Sequence, residues 1–290
     1  MRRFKATVKD KGMRADIKVA SKYPKFSRSS LQRLFEKGLV NINGSLAKAA
    51  YKLKPADVVT IDDKSLKTVP KKLSLPVIYE DDNVVVIDKP EGVLSHSKGA
   101  INEESTVASF IRPKVAPELE GNRAGIVHRL DRGTSGVMIA AKNAETMSYL
   151  QKQFSARKTK KQYGAIVEGL PQPAEAVIDI PIIRNPKKPQ TFKADAAGKP
   201  AQTQFKILKT VYKNDKPYSL IELKPLTGRT HQIRVHMRYI GHPVLGDRVY
   251  GTPGEHLYLH AKSLEITLPG GERKVFKAAE PKYFEEFINS

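Results

Sequence analysis

Gly125-Ile-Val-His-Arg-Leu-Asp-Arg-Gly-Thr-Ser-Gly-Val-Met-Ile-Ala-Ala141 is the stretch on which the reading of this chain turns. Two short apolar runs, Ile126-Val127 and Val137 to Ala141, bracket a polar tip from His128 to Gly136. Short, partly β-branched runs of this kind predict buried strands. Gly133 and Gly136 suit tight backbone geometry, and Asp131, Thr134 and Ser135 can bond a turn. The tip therefore offers a carboxylate, two arginines and a histidine on a loop held by rigid strands, a common place for catalytic groups. A lone loop aspartate is ordinarily a turn residue. Asp131 is singled out by its company: His128, Arg129 and Arg132 lie within three positions of it.

The 290 residues suggest more than one domain, and 40% hydrophobic content is enough to bury a core. Lys and Arg number 51 against 30 Asp and Glu, a net charge of +21. An excess of that size points to a polyanionic partner, most often nucleic acid. It is concentrated early: residues 1–75 hold 19 basic and 6 acidic side chains, so +13 of the +21 lies there. There is no cysteine, which excludes disulfides, thiolate metal ligands and a cysteine nucleophile. The first residues, MRRFKATVKDKG, lack the apolar stretch of a signal peptide. No apolar run is long enough to span a bilayer. A soluble, cytoplasmic monomer away from membranes, with a polyanion as its partner, is the expectation.

Near the N-terminus, Ser27 to Ser30 can cap a helix whose apolar face is Leu31, Leu34 and Phe35, with Gly38 as its stop. Arg28, Arg33 and Lys37 are left mostly off that face. Three such cations are ordinarily just a solvated surface; here they are candidate RNA contacts. Leu39 to Ile42 alternates as a strand into Asn43-Gly44, a tight-turn signal, and Asp57 to Ile61 reads as another strand. Residues 64–76 mix Lys, Ser and Pro without periodicity and read as a linker. Val77 to Glu80 and Val84 to Ile87 read as a hairpin turning at Asp81 to Asn83. It runs into DKPEGVLSH, Asp88 to His96, where Lys89 and His96 can be plain surface residues.

After the central loop a helix is expected over Ala144 to Ala156, with Met147, Leu150 and Phe154 facing the core. The basic run Arg157 to Lys161 then precedes Tyr163 and a strand to Gly169; it can be a solvated run, or it can hold a phosphate backbone beside a stacking aromatic. Residues 175–225 read as hairpins, with Arg184 to Pro200 as an excursion near RNA or a disordered loop. A last helix is expected from near Thr230 to Gly241. In it Ile233, Met237 and Ile240 form a packing face, and His231, Arg234 and Arg238 an opposite, presenting face. His231 and His236 lie roughly 140° apart on such a helix, wrong for sharing a metal, so no metal is expected.

These segments carry a resemblance. HRLDRGTSG resembles the signature loop of the RluA-type RNA pseudouridine synthases, DKPEGVLSH their first motif, and LTGRTHQIRVHM, Leu226 to Met237, their third. GHPVLGDRVYG, Gly241 to Gly251, and Leu259-His260-Ala261 continue the match, which covers about residues 77–285. Residues 27–61 resemble the S4-type RNA-binding domain, with Ala15-Asp16 where Leu-Asp is frequent and Ala56-Asp57 where Gly-Asp is usual.

The resemblance implies an α+β fold. A mixed, mainly antiparallel sheet of the pseudouridine synthase type with flanking helices would span 77–290. A small S4-like α/β domain would span 1–63, with 64–76 as linker. It implies isomerisation of uridine to pseudouridine, which needs no cofactor, in large-subunit ribosomal RNA. Asp131 would be the catalytic carboxylate, Arg234 its partner, and Tyr163 the residue that stacks on the uracil and relays the C5 proton. Arg129 would fill the space left by the flipped base, and Arg229 would meet backbone phosphate. Alternatives are a synthase acting on transfer RNA, a non-catalytic RNA-binding or ribosome-assembly factor, and a hydrolase using Asp131 with a histidine. The hydrolase lacks a serine elbow or second carboxylate in support.

Overall fold

The structure is a computed structural model and describes residues 1–24, 26, 28–67, 72–97, 104–119 and 123–290. The chain divides into two compact units: residues 1–73 with 96–112 and 120–124, and residues 74–95 with 113–119 and 125–290.

The first unit pairs a small sheet with helices. Its strands are β1 (Arg2–Lys5), β2 (Val40–Ile42), β3 (Ser45–Leu46) and β4 (Val58–Ile61), ordered β1-β4-β2-β3 and antiparallel throughout. Helices α1 (Ala15–Lys22) and α2 (Arg28–Glu36) pack on it. Leu31, Leu34 and Phe35 are buried as the periodicity predicts. Asn43 and Gly44 both take positive φ, 51° and 84°, the pairing a two-residue hairpin turn requires. The proposed cap residue Ser27 lies outside the described residues. Within 64–76, α3 (Lys64–Lys67) is a single helical turn, and residues 68–71 lie outside the described set. The unit also holds α4 (Val107–Ile111), capped by Thr106, whose hydroxyl accepts the Ser109 N–H.

The second unit is built on a nine-stranded sheet. Its members are β5 (Val77–Glu80), β6 (Val84–Lys89), β7 (Ser135–Ala141), β8 (Lys160–Glu168), β9 (Glu175–Asp179), β12 (Gln202–Lys213), β13 (Lys216–Pro225), β14 (Leu259–Thr267) and β15 (Arg273–Lys277). Between β9 and β12 lies a separate two-stranded piece, β10 (Ile182–Arg184) with β11 (Phe192–Ala194). The sheet order is β5-β6-β7-β14-β8-β13-β12-β9, with β15 paired to β14. Only β7–β14 is parallel; every other pair is antiparallel. The helices are α5 (Ala144–Ser155), α6 (Gln232–Tyr239) and α7 (Lys282–Asn289). The mixed, mainly antiparallel α+β architecture is the one expected.

The stem of the central loop differs in detail. All seven residues of β7 are buried, whereas Ile126 makes only a single bridge to Ala140 instead of a strand. Gly136 explains why β7 admits a parallel neighbour. Its φ is +111°, and an added Cβ would stand 2.2 Å from the Ala261 carbonyl oxygen, so only glycine lets β14 come this close. The segment Arg184 to Pro200, expected as an excursion near RNA or a disordered loop, is an ordered excursion: it holds β11, which pairs back onto β10 just ahead of it. Ile182, Phe192 and Ala194 pack with Val235 and Tyr250, and that apolar contact fixes it.

Candidate active site

The tip between Ile126 and β7 closes on itself: the Thr134 N–H donates to the Asp131 carbonyl at 3.2 Å. Ser95 clasps it from the first-motif loop, its hydroxyl donating to the Leu130 carbonyl at 2.7 Å and accepting the Leu130 N–H at 3.1 Å. Lys89 ties the same two loops together and corrects the surface reading of that residue. It is 0% exposed, and its ammonium donates to the carbonyls of Pro90 (2.9 Å), Val93 (2.8 Å) and Arg132 (3.2 Å). Three acceptors match its three N–H groups, which is what permits a buried lysine. Burial pushes it down to about 7, against the pull of Asp131.

His128, partly buried in the cavity wall, is held by its neighbours. Its Nε2 accepts the Ile139 N–H at 3.1 Å and its ring stacks on Phe154 at 4.6 Å. Burial, with a smaller effect of Lys161, holds it at about 3, so it is a neutral brace for the loop.

Asp131 faces α6. Arg234 Nη1 donates to its Oδ2 at 3.2 Å, and His231 Nε2 stands 3.7 Å from its Oδ1. Arg234 does not present itself to solvent as its helical position suggests; it is only 7% exposed. The reason is Asp247, fully buried, which accepts from Arg234 Nε and Nη2 at 2.7 Å each. Asp247 Oδ1 also takes the N–H groups of Val249 (2.9 Å) and Tyr250 (3.0 Å). A bidentate, charge-assisted pair fixes the guanidinium plane and leaves Nη1 for Asp131. Burial opposes the Arg234 charge, but the Asp247 hydrogen bonds and both carboxylates hold its pKa above the ordinary value. Burial likewise opposes the Asp247 charge, and Arg234 outweighs it, keeping that carboxyl low.

The helix begins later than its sequence suggests. His231 has φ 57° and ψ 18° and stands ahead of α6 in the left-handed region. Gln232, 4% exposed, anchors the turn: its Oε1 accepts from Thr227 Oγ1 (2.6 Å) and the Arg229 N–H (3.0 Å). Its Nε2 donates to the Gln202 carbonyl (2.9 Å) and Thr203 Oγ1 (3.0 Å). His236 bonds Thr203 Oγ1 and the Ile180 carbonyl, away from His231. Among the described residues no three His, Cys, Asp or Glu side chains are grouped to hold a metal ion.

These parts line one cavity of about 500 Å³ that includes Asp131, Arg129, Tyr163, Arg229, His231 and Arg234. The structure thus brings five of the sequence-selected residues to one place. Tyr163 sits on β8, its hydroxyl pushed up by burial and then by Asp131. Arg129 is exposed at the rim. Arg229 Nε donates to the Pro200 carbonyl at 3.0 Å. Lys161, two residues before Tyr163 on the same strand face, donates to the Thr227 carbonyl at 2.9 Å, and burial brings it down to about 8. Arg28, Arg33 and Lys37 belong to the first unit; Arg28 pairs with Asp16 at 3.0 Å. Sequence reasoning passed over Asp247, Tyr250 and Gln232, read Lys89 as a surface residue, and left Lys161 inside a basic run of open role. Only Lys161 carried a signal, its place beside Tyr163; Asp247 and Tyr250 stood unremarked inside a matched motif.

Comparison with known proteins fits this geometry. Residues 83–239 match the family model described as RNA pseudouridylate synthase. The chain belongs to that family. Its relatives include an uncharacterized RNA pseudouridine synthase of Aquifex aeolicus, 38% identical over 93% of this chain and 91% of that protein. The ribosomal large subunit pseudouridine synthase D of Borreliella burgdorferi is 36% identical over 98% of this chain and 91% of its own length. Among solved structures, human RNA pseudouridylate synthase domain containing 1 superposes with a TM-score of 0.61 at 27% identity, covering 74% of this chain and 87% of that one. The synthase is therefore an RNA-modifying isomerase of the RluA type, and the pseudouridine synthase reading of the sequence holds. No helix among the described residues is long and apolar enough to cross a membrane.

Proposed function

We propose that this synthase converts uridines of large-subunit ribosomal RNA, with Asp131 acting at the sugar of a flipped-out nucleotide. The observation that carries the reading is the contact of Asp131 Oδ2 with Arg234 Nη1, itself locked by Asp247, inside a cavity that also holds Tyr163. Isomerisation breaks the N1–C1′ bond, turns the base, and joins C5 to C1′ before the C5 proton leaves. Asp131 starts this as a carboxylate, by attack at C1′ or by taking the C2′ proton. Arg234 fixes which oxygen is presented, a positioning role in the sense that governs near-attack geometry. Tyr163 stacks on the uracil and relays the C5 proton. Extracting the base from its stack costs about a few kcal/mol, which contacts at the rim must offset. Arg129 occupies the vacated space, and Arg229 takes a phosphate.

Support for the ribosomal target is the name of the Borreliella burgdorferi relative, which aligns over almost the whole chain. The first unit supplies general affinity for RNA, supported by its +13 charge and by Arg28 and Arg33 on α2 with Lys37 just after it. Mapping pseudouridines in all RNA of cells with and without the protein tests the target. Sites lost from large-subunit RNA and restored by the wild-type gene, but not by Asp131→Asn, are expected. Loss confined to transfer RNA would redirect the assignment, and an unchanged map would end it.

A further inference from the structure

His231 is built into the site more tightly than a helix-preceding residue needs. Its left-handed backbone is uncommon for a non-glycine residue, and such strain clusters at functional positions. Its ring is held edge-on by Phe192 at 5.6 Å and Tyr250 at 5.5 Å. Its Nδ1 is 2.8 Å from the Tyr250 hydroxyl.

That hydroxyl points to one tautomer. Tyr250 Oη accepts the Phe192 N–H at 2.9 Å. A backbone N–H is a donor only, so the phenol hydrogen is left for the other group at this oxygen, His231 Nδ1. With that assignment Nδ1 accepts and Nε2 carries the hydrogen. Nε2 points toward Asp131 Oδ1 at 3.7 Å, too far for a hydrogen bond. The ring lines the same cavity as Asp131 and Tyr163. Burial lowers the imidazole pKa further than Asp131 raises it, so the ring is neutral. A neutral ring makes no ion pair with the carboxylate, so its N–H stays available to a substrate oxygen.

We infer that His231 is a catalytic residue that donates its Nε2–H to the O2 oxygen of the target uracil as the N1–C1′ bond breaks, with Tyr250 as the positioning residue that fixes its tautomer. The inference rests on the reading of Asp131 as the group acting at the sugar. When N1–C1′ breaks, its electron pair goes to the base, whose negative charge spreads over N1, O2 and O4. Asp131 meanwhile bonds C1′ or takes the C2′ proton. O2 sits on the ring carbon next to N1, beside the carbon where Asp131 works, whereas O4 is across the ring and the 2′-hydroxyl gains no charge in this step. A preorganised donor contributes most where charge develops, and a neutral imidazole N–H can polarise such a carbonyl without giving up its proton. His231 keeps its hydrogen throughout. The bond relaxes once C5 has joined C1′ and the base is neutral again.

The test uses the full chain and RNA from cells lacking it, labelled with 5-tritiated uridine, with protein in excess so that tritium release reads a single turnover. His231→Met and His231→Gln are similar in length and share the left-handed penalty, but only Gln keeps a donor. His231→Met is expected to slow release ~10²-fold at saturation with unchanged half-saturation, and His231→Gln to recover it to within about tenfold. In the free protein, nitrogen-15 NMR should find His231 as the Nε2–H tautomer. Tyr250→Phe should mix the tautomers and slow release about tenfold. Release by His231→Met within about threefold of wild type would overturn the inference. So would equal rates for Met and Gln, or an Nδ1–H tautomer in the wild type. If the wild-type protein itself releases no tritium, the reading of Asp131 falls and this one with it.

Discussion

The two units carry positive charge in opposite ways. In the first, the cations singled out as RNA contacts stand toward the surface: Lys37 is exposed, and Arg28 is half-exposed even while paired with Asp16. In the second, three cations at or near the cavity are drawn inward and given fixed partners, while Arg129 stays exposed at its rim. Arg234 is spent on Asp247 and Asp131, Lys89 on three carbonyls, Lys161 on the Thr227 carbonyl. Surface cations can follow a phosphate chain of any sequence, and salt screens them. Inward ones cost desolvation and return geometry. The same residue types thus divide into affinity and placement, and net charge alone cannot apportion them.

Four changes probe that division, the largest effect first. Asp131→Asn keeps the side-chain shape and should bring tritium release to the background rate, with RNA affinity retained and at most about 1 kcal/mol of stability lost. Normal release would remove Asp131 from the chemistry. Next comes the buried pair. Arg234→Met should abolish turnover and cost about 3–5 kcal/mol, because Asp247 is left charged and unpartnered. Arg234→Met with Asp247→Asn should be more stable than Arg234→Met alone in urea melts. A double variant as unstable as the sum of the two single variants would deny the coupling.

Lys161 gives a smaller, pH-dependent effect. Its folded pKa, about 8, lies below the ordinary lysine value of 10.5. Between those values the unfolded chain binds more protons, so raising the pH favours the folded state. The stability difference between wild type and Lys161→Met should therefore shift toward wild type by about 2 kcal/mol from pH 8 to pH 10. A flat difference would mean the ammonium is not desolvated. The smallest effect belongs to the surface. Arg33→Gln with Lys37→Gln should weaken RNA binding a few-fold and flatten its salt dependence by about 0.7 for each phosphate no longer neutralised. An unchanged slope would take α2 out of the RNA interface.

Local signals were legible in the chain. The α2 core face, the Asn43-Gly44 turn, the β5–β6 hairpin and α5 all follow from spacing and turn chemistry among neighbours. So did the loop around Asp131, whose polar tip between apolar runs needs no distant partner to be noticed. What escaped depends on long-range partners. Periodicity put Arg234 on an open face because it cannot see Asp247, thirteen residues on, which makes burial tolerable. Lys89 looked like a surface residue because its third acceptor, the Arg132 carbonyl, is 43 positions away. The helix was drawn about two residues too early because Gln232, a good helix former, hides its long-range bonds to the Gln202 carbonyl and Thr203 Oγ1, and His231 gives no sign of a left-handed backbone.

The parallel pairing permitted by Gly136 also sets an order of assembly. Strand β7 meets β6 through neighbours about 50 positions apart, but meets β14 only through Ser135 with His260 and Gly136 with Ala261. Closing that second edge requires a far longer loop, and contacts of such separation form slowly. During synthesis the strand carrying the Asp131 loop is therefore sheeted on one side while its other side waits for nearly the whole chain. Amides of β7 that face β14 should gain protection after those that face β6 in pulsed hydrogen exchange. The reactive loop is thus among the last parts to be completed, and a partly made chain has no finished pocket in which to bind a nucleotide.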